Sequence, residues 1–147
     1  MTETRNDTAD HSDASLLSVD RAVYEFRRGR PVCVTDESGN MVVAVSAELA
    51  TENSIETLSA LSGVKPDLAI THHRARTLKV ALYTEDIVLM PFPSWLTADM
   101  ARSVADPTSD LANPMRGPFK AKRDPVTGAS LAAVQLAKIA RLLPAVL

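Results

Sequence analysis

The sequence predicts an α/β fold of the α+β kind, in which helices flank a small mixed sheet. Short segments rich in β-branched residues alternate with segments whose apolar residues recur every three or four positions. The chain has 147 residues, of which 46% are hydrophobic and 23% charged. These values are typical of one globular domain with a buried core, and they exclude a wholly disordered or fibrous chain.

The first residues differ in composition from the rest of the chain. Residues 1–17 are polar and partly acidic, and between the initial methionine and Leu16 their apolar side chains are alanines. We expect a disordered acidic tail there, followed by a folded domain over residues 18–147. Ser18 is a good N-cap for a first helix, and Gly29 is placed to end it. The inward stripe of this helix is Val19, Ala22, Val23 and Phe26.

A hairpin and a second helix are predicted next. Residues 31–36 and 41–48 read as strands, and the turn-rich residues 37–40 connect them. Cys33 lies between two valines, so we expect a buried strand thiol. Asn53 is the expected cap of the second helix. The inward positions of that helix are Ile55, Leu58 and Leu61.

The remaining elements alternate in the same way. Residues 67–71 and 87–90 are predicted strands, and Thr71 can cap a helix that starts at His72. Residues 94–105 predict a short helix, and the proline-rich residues 106–126 a long loop. The last helix is predicted over residues 128–143, with Ala132, Leu136, Ile139 and Leu143 on its inward stripe.

Charge and cysteine content exclude several classes of protein. Sixteen Lys and Arg against eighteen Asp and Glu give a net charge of −2, which provides no general attraction to nucleic acid or to an acidic membrane. The single cysteine excludes an internal disulfide framework and a cysteine-rich zinc module. The sequence has no apolar run long enough to span a bilayer and no secretory start, so we expect a cytoplasmic protein.

Two stretches of the chain resemble a known enzyme family. Residues 46–52 (SAELATE), the helix after them, and residues 66–78 (PDLAITHHRARTL) resemble 3,4-dihydroxy-2-butanone 4-phosphate synthase of riboflavin biosynthesis. The resemblance covers residues 18–80 and returns at residues 128–146, which are similar to the final helix and strand of that family. It implies a shortened version of the synthase fold.

The synthase motifs themselves are degenerate in this chain. The family carries the acidic loop Asp-Asp-Glu-Asp-Arg-Glu-Asn-Glu-Gly-Asp after its first strand, where carboxylates bind magnesium and a sugar phosphate. This chain has Asp36 and Glu37 there, followed by Ser-Gly-Asn. The family motif Gly-His-Thr-Glu at the last helix supplies a metal ligand and a proton-transfer group, and residues 128–131 (GASL) replace it. The resemblance therefore implies the fold, while these residues predict that the ancestral reaction is lost.

One group of proteins combines these features. The chain resembles the shortened, synthase-like N-terminal domain that precedes the catalytic domain in a group of bacterial GTP cyclohydrolase II proteins, where the stretch ending in residues 142–147 (LLPAVL) leads into the cyclohydrolase. This implies a C-terminal cyclohydrolase domain as partner and a homodimer. Zinc would belong to that missing domain, and no cofactor is expected in this chain.

We therefore expect a non-catalytic domain that acts as scaffold, dimer contact or regulatory module, with no catalytic residue of its own. One alternative is a diverged magnesium-dependent phosphosugar lyase, with Asp36 and Glu37 as metal ligands. Another is a module that binds RNA or a nucleotide phosphate through the basic loop of residues 116–123. Its candidate phosphate-binding residues are Arg116, Lys120, Lys122 and Arg123.

Other polar residues have structural interpretations. Adjacent residues on a helix point about 100° apart, so His72 and His73 are expected at a solvated helix start and not as a metal pair. Arg74 and Arg76 are expected on the same exposed face. The arginines at positions 27, 28 and 30 would face the carbonyls at their own helix end. Trp95 is expected to fill the edge of the core or an interface.

Overall fold

The computed structural model describes residues 7–94, 97–114 and 117–147 of the chain. Within these ranges no helix combines the length and hydropathy needed to cross a bilayer. The helices and strands follow the predicted alternation. In chain order they are α1 (Asp7–Arg27), β1 (Val32–Thr35), β2 (Met41–Ala44), α2 (Glu52–Ser62), β3 (Leu68–Thr71), α3 (His72–Thr77), β4 (Ile87–Met90), α4 (Ala98–Ala105), a 3-10 turn (Pro107–Ser109), α5 (Gly128–Ile139) and β5 (Ala145–Val146).

The predicted α/β class is confirmed, but the strands form two antiparallel sheets instead of one mixed sheet. The first is the predicted β1–β2 hairpin, and the second has the order β4–β3–β5. The residues directly after β2 join them, because Val45 and Leu147 exchange backbone hydrogen bonds of 3.0 Å in both directions. The hairpin and both strand pairs of the second sheet run antiparallel.

The core lies on both faces of β3. Leu68 and Ile70 point to one apolar cluster, which α2 and α4 cover, and Ala69 between them points to a second cluster. The second cluster is closed by α5, by the inner face of the hairpin and by Phe26 of α1. This alternation follows from the two-residue repeat of a strand that is buried on both faces.

The first helix begins earlier than expected. It starts at Asp7, so the structure places residues 7–17 in α1. The hydroxyl of Ser18 donates to the carbonyl of Ala14 at 3.0 Å, which places Ser18 inside the helix and not at its cap. Residues 12–21 are exposed, so water hydrates the polar side chains of this part of α1. The C-terminal part of the helix is the part that packs against the domain.

Threonines cap four of the helices. Thr71 caps α3 as predicted, and its hydroxyl accepts from the backbone N–H of Arg74 at 3.1 Å. Thr51, not Asn53, caps α2, where it forms a capping box with Ser54. Thr97 and Thr127 cap α4 and α5. These side chains satisfy backbone donors that the first turn of a helix leaves free.

Four predictions of burial were wrong, beginning with Val19 of α1, which is 42% exposed. Cys33 is exposed, because the hairpin is covered on one face only and Cys33 points to the other. Leu61 and Ile139 are 67% and 58% exposed. In α5, the stripe that faces the core lies beside the predicted one. The elements packed around a helix determine which of its faces is buried, and the periodicity of its sequence does not give their positions. The buried residues of α5 are Ala129, Ala133, Val134, Leu136 and Ala137.

Candidate functional site

The structure brings together the two segments in which the synthase motifs were expected. The loop after β1 lies against the start of α5, and Asp36 joins them by accepting from the backbone N–H of Ala129 at 3.1 Å through Oδ2. Asn40 holds the same carboxylate. Its backbone N–H donates to Oδ1 at 2.9 Å, and its side-chain amide donates to Oδ2 at 2.9 Å. We call this contact between residues 36–40 and the first turn of α5 the junction.

The junction keeps Asp36 ionised and closely packed. The side-chain hydrogen bond from Asn40 is the largest of the effects on the pKa of Asp36, and it holds that pKa below its ordinary value. Burial, the second largest effect, raises the pKa, and backbone donors from Asn40, Ala129 and Ser38 lower it further. A Cβ at Gly128 would lie 3.2 Å from both Cβ and Oδ2 of Asp36. The absence of a side chain at position 128 therefore lets the carboxylate reach the helix.

The junction does not fit the magnesium centre that the fold family implies. Glu37 is exposed, and both oxygens of Asp36 already accept hydrogen bonds. Magnesium needs several oxygen ligands in near-octahedral geometry, and the side chains of Ala129 and Leu131 supply none. Among the described residues, no three His, Cys, Asp or Glu side chains gather in a group that could hold a metal ion. The carboxylate here has a structural partner in place of an ion.

The basic loop is divided among separate partners. Lys122 forms an ion pair with Asp67 at 2.5 Å, and its backbone N–H donates to the carbonyl of Leu89 at 2.8 Å. Arg123 lies over the ring of Tyr83, 4.5 Å from its centroid. Lys120 is exposed, and Arg116 lies outside the described residues. Of the four predicted cations, Lys122 is thus neutralised and Arg123 stacked.

A cavity of about 420 Å³ lies between this loop and α5. Arg123 and Tyr83 form one side of it, and the start of α5 forms another. Glu85 and Asp86 also line the cavity. Their carboxylates oppose the binding of a phosphate, which the cation and the helix N-terminus would otherwise favour.

Arg74 is the residue whose role the sequence concealed most. It was expected on an exposed helix face, but its side chain is 7% exposed and forms a two-pronged pair with Asp110, with both N–O distances 2.7 Å. Its Nε donates to the carbonyl of Val104 at 2.8 Å. We call these contacts the clamp. Arg76 is exposed, as predicted.

Other long-range polar contacts position the helices. Arg27 donates to the carbonyl of Ala140 at 2.9 Å, so it satisfies the end of α5 and not that of its own helix. Glu48 accepts from the backbone N–H of Leu143 at 2.7 Å. Glu48 and Leu143 belong to the two stretches that carry the family resemblance, so this contact fastens those stretches to each other. Trp95 lies outside the described residues.

No protein-family model matches the chain. A GTP cyclohydrolase-2 from Azospirillum brasilense is 36% identical over 133 residues, which is 90% of this chain and 34% of that protein. The chain thus spans about a third of the length of this curated relative.

Three solved structures share the fold. A 3,4-dihydroxy-2-butanone 4-phosphate synthase of Candida albicans has a TM-score of 0.61 at 22% identity, covering 87% of this chain and 76% of that one. A two-domain synthase from A. baumannii has a TM-score of 0.67 at 16% identity, covering 87% and 46%. A synthase in a cation-free form has a TM-score of 0.62 at 20% identity, covering 87% and 72%. The chain therefore has the fold of 3,4-dihydroxy-2-butanone 4-phosphate synthases, and its sequence is similar to about a third of a GTP cyclohydrolase-2.

Proposed function

We propose that this chain is a catalytically degenerate synthase-like domain of a GTP cyclohydrolase II protein in riboflavin biosynthesis, where it acts as a scaffold, dimerisation or regulatory module. Similarity to a GTP cyclohydrolase-2 and to several synthase structures supports that pathway. In this proposal zinc belongs to the cyclohydrolase part of the polypeptide, and this domain holds no cofactor.

The junction carries the proposal. It is the place where the family motifs would meet, and its carboxylate is committed to Asn40 and to the first turn of α5. Neither the methyl group of Ala129 nor the isobutyl group of Leu131 can bind a metal or transfer a proton. A magnesium-dependent reaction at this place would require Asp36 to leave its structural partners.

The direct test is an activity assay on the isolated chain. Ribulose 5-phosphate and magnesium are incubated with the chain, and with the Candida albicans synthase as a positive control, and sugar phosphate is followed over time. We expect consumption with the control enzyme and none with this chain. Magnesium-dependent turnover that disappears in Asp36→Asn would replace the proposal with the lyase alternative.

Ligand-dependent stability tests both alternatives to a non-catalytic domain. A ligand that binds only the folded chain raises its melting temperature in proportion to the logarithm of its concentration. We expect no shift with millimolar ribulose 5-phosphate and magnesium. With Lys122 paired to Asp67, the phosphate-binding alternative keeps Arg116, Lys120 and Arg123 as its candidate residues. It would gain support only from binding of GTP or RNA that weakens as salt rises and is lost in Arg123→Ala.

A further inference from the structure

The C-terminal ends of α1 and α5 meet at a contact between Arg27 and Ala140. Nε of Arg27 donates to the carbonyl of Ala140 at 2.9 Å, which joins the two helix ends directly. The residues around this contact carry five positive charges, and all five residues are exposed to solvent. They are Arg27, Arg28 and Arg30 at the end of α1 and Lys138 and Arg141 at the end of α5. We call these five residues the basic patch.

The basic patch has more positive than negative charge. Glu25 forms an ion pair with Arg30 at 3.0 Å, and Glu48 accepts from the backbone N–H of Leu143, two residues after Arg141. Five cations against these two carboxylates leave three positive charges in excess, although the net charge of the whole chain is −2. Salt screens exposed charges over about 8 Å, so cations grouped at one contact between two helices act together on an approaching polyanion.

The helix ends explain part of this arrangement but not Arg141. Cations near a helix C-terminus interact favourably with its dipole, and Arg27 already satisfies one carbonyl of α5. Arg141 follows the helix in the left-handed conformation, with φ 59°, and its N–H donates to the carbonyl of Lys138 at 3.0 Å. Glycine is usual at this position, because a Cβ makes the left-handed conformation unfavourable. An arginine therefore weakens the helix end relative to glycine, which indicates that its side chain serves a purpose outside the fold.

An aromatic ring lies beside the basic patch. Tyr24 is about one helical turn before Arg28, and the guanidinium carbon of Arg28 lies 5.2 Å from the centroid of its ring. Arg28 also donates to the Tyr24 hydroxyl, so the two side chains hold each other in place. Tyr24 nevertheless remains 57% exposed. An exposed ring next to cations suits a single-stranded nucleic acid, since any base can stack on the ring and each phosphate attracts a cation.

We propose that the basic patch and Tyr24 together form a binding site for single-stranded nucleic acid. The cations contact successive phosphates, and a base stacks on the exposed part of the Tyr24 ring. An anionic membrane or an acidic protein would satisfy the charges without making use of the ring. The site lies at the opposite end of α5 from the cavity beside Arg123, about 18 Å away for a helix of 12 residues. It goes beyond the proposed function, because it does not depend on whether the chain turns over a sugar phosphate.

Binding of a short fluorescein-labelled oligouridine, followed by fluorescence anisotropy, tests the site. We expect the affinity of the chain to fall as salt rises, with a log–log slope of about −0.7 for each phosphate contacted. Arg28→Gln should make the slope shallower by roughly 0.7, since it removes one such contact. Tyr24→Leu should weaken binding about tenfold and leave the slope unchanged, because stacking releases no counterion. The matched control is Arg76→Gln, an exposed arginine of α3 outside the basic patch, and it should bind like the wild type.

Arg141→Gly separates binding from folding. Glycine relieves the left-handed conformation at this position, so we expect a higher melting temperature together with weaker binding and a shallower salt slope. Lower affinity in a more stable variant cannot result from unfolding.

Four results would overturn the inference. The first is no binding at low salt, or binding that salt does not weaken. The second is wild-type affinity in both Arg28→Gln and Arg141→Gly. The third is binding that is lost in Arg123→Ala alone, which would assign it to the basic loop. The fourth is binding of phosphatidylserine–phosphatidylcholine vesicles or of an oligoglutamate at least as tight as that of the oligouridine, which would make the occupant a membrane or an acidic protein.

Discussion

The junction and the clamp both use one aspartate to hold distant segments together, yet they differ in burial. At the junction, Asp36 accepts from backbone and amide donors near the surface. In the clamp, Asp110 pairs with the guanidinium of Arg74, whose side chain is 7% exposed. A buried charge without its partner is costly, whereas water can replace the partners of an exposed one. The burial of the partner therefore decides how much each aspartate contributes to stability.

This difference bears on function as well. By this argument a change in the partners of Asp36 costs less stability than a change in those of Asp110. The clamp fixes residues 104–110, which the sequence predicts as the end of a short helix and the start of a long loop. The clamp thus stabilises the domain through residues other than those of the junction.

Removing the carboxylate of the clamp should have the largest effect. Asp110→Ala leaves the buried guanidinium of Arg74 hydrogen-bonded to carbonyls only. We expect the free energy of unfolding to fall by about 2–4 kcal/mol. The loss is smaller than for a fully buried ion pair because Asp110 is itself partly exposed. Urea denaturation measures it. Asp99→Ala is the matched control, because Asp99 pairs with Arg102 at 2.8 Å but its side chain is 88% exposed. Equal losses in the two variants would contradict the argument from burial.

Two serines should respond in opposite directions. Ser46 is fully buried and its hydroxyl has no hydrogen-bond partner, so Ser46→Ala should raise the free energy of unfolding by about 1 kcal/mol. Ser54 is also buried, but its hydroxyl takes part in the capping box of α2. Ser54→Ala should lower stability by about 1 kcal/mol. Thermal unfolding of both variants beside the wild type checks the signs, and a loss in Ser46→Ala would mean that its hydroxyl is satisfied.

The contribution of the junction to stability should depend on pH. The pKa of Asp36 is lowered in the folded chain, so its stabilising contribution is complete above the unfolded value of 3.8 and is lost as pH falls through the folded value. We expect the melting-temperature difference between wild type and Asp36→Asn to be constant from about pH 5 to 7 and to shrink below about pH 4. Glu37→Gln is the control for an exposed neighbour. A difference that grows toward acid pH would reverse the assignment.

The smallest effect on the free energy of unfolding is expected at Leu61, near the end of α2. Leu61→Glu changes an exposed side chain, so the free energy of unfolding of the isolated chain should change by less than about 0.5 kcal/mol. Urea denaturation at neutral pH measures this change. A large loss would show that Leu61 supports the fold of the domain itself.

Local sequence signals located the hairpin and one helix cap, although they assigned Ser18 and Asn53 as caps wrongly. Contacts between distant segments were not predicted. The hairpin and the cap at Thr71 depend on neighbouring residues and are confirmed. The burial of Arg74 depends on Asp110, which lies 36 residues away, and the sequence near Arg74 contains no sign of it. Cys33 was assigned to the correct strand but to the wrong face, because the sequence does not show which face of a hairpin will be covered.

In the candidate site, too, individual residues were identified from the sequence but their distant partners were not. Asp36 was identified from the motif that it replaces, yet its partner Ala129 is 93 residues away. The basic loop was noticed because its charges are close in sequence, but the partner of Lys122 is Asp67, 55 residues away. These pairs could be predicted only by reading both segments together. For Asp36 the useful residue in the second segment is Gly128, which leaves room for the carboxylate.

The strand β5 has a consequence for biosynthesis. It follows β1–β4 in chain order, and it pairs with β3 while the residues beside it pair with those after β2. The two sheets cannot be united until nearly the whole domain has left the ribosome. Deleting residues 145–147 would remove only three residues. It would nevertheless leave the hairpin and the central strands without the segment that holds them side by side.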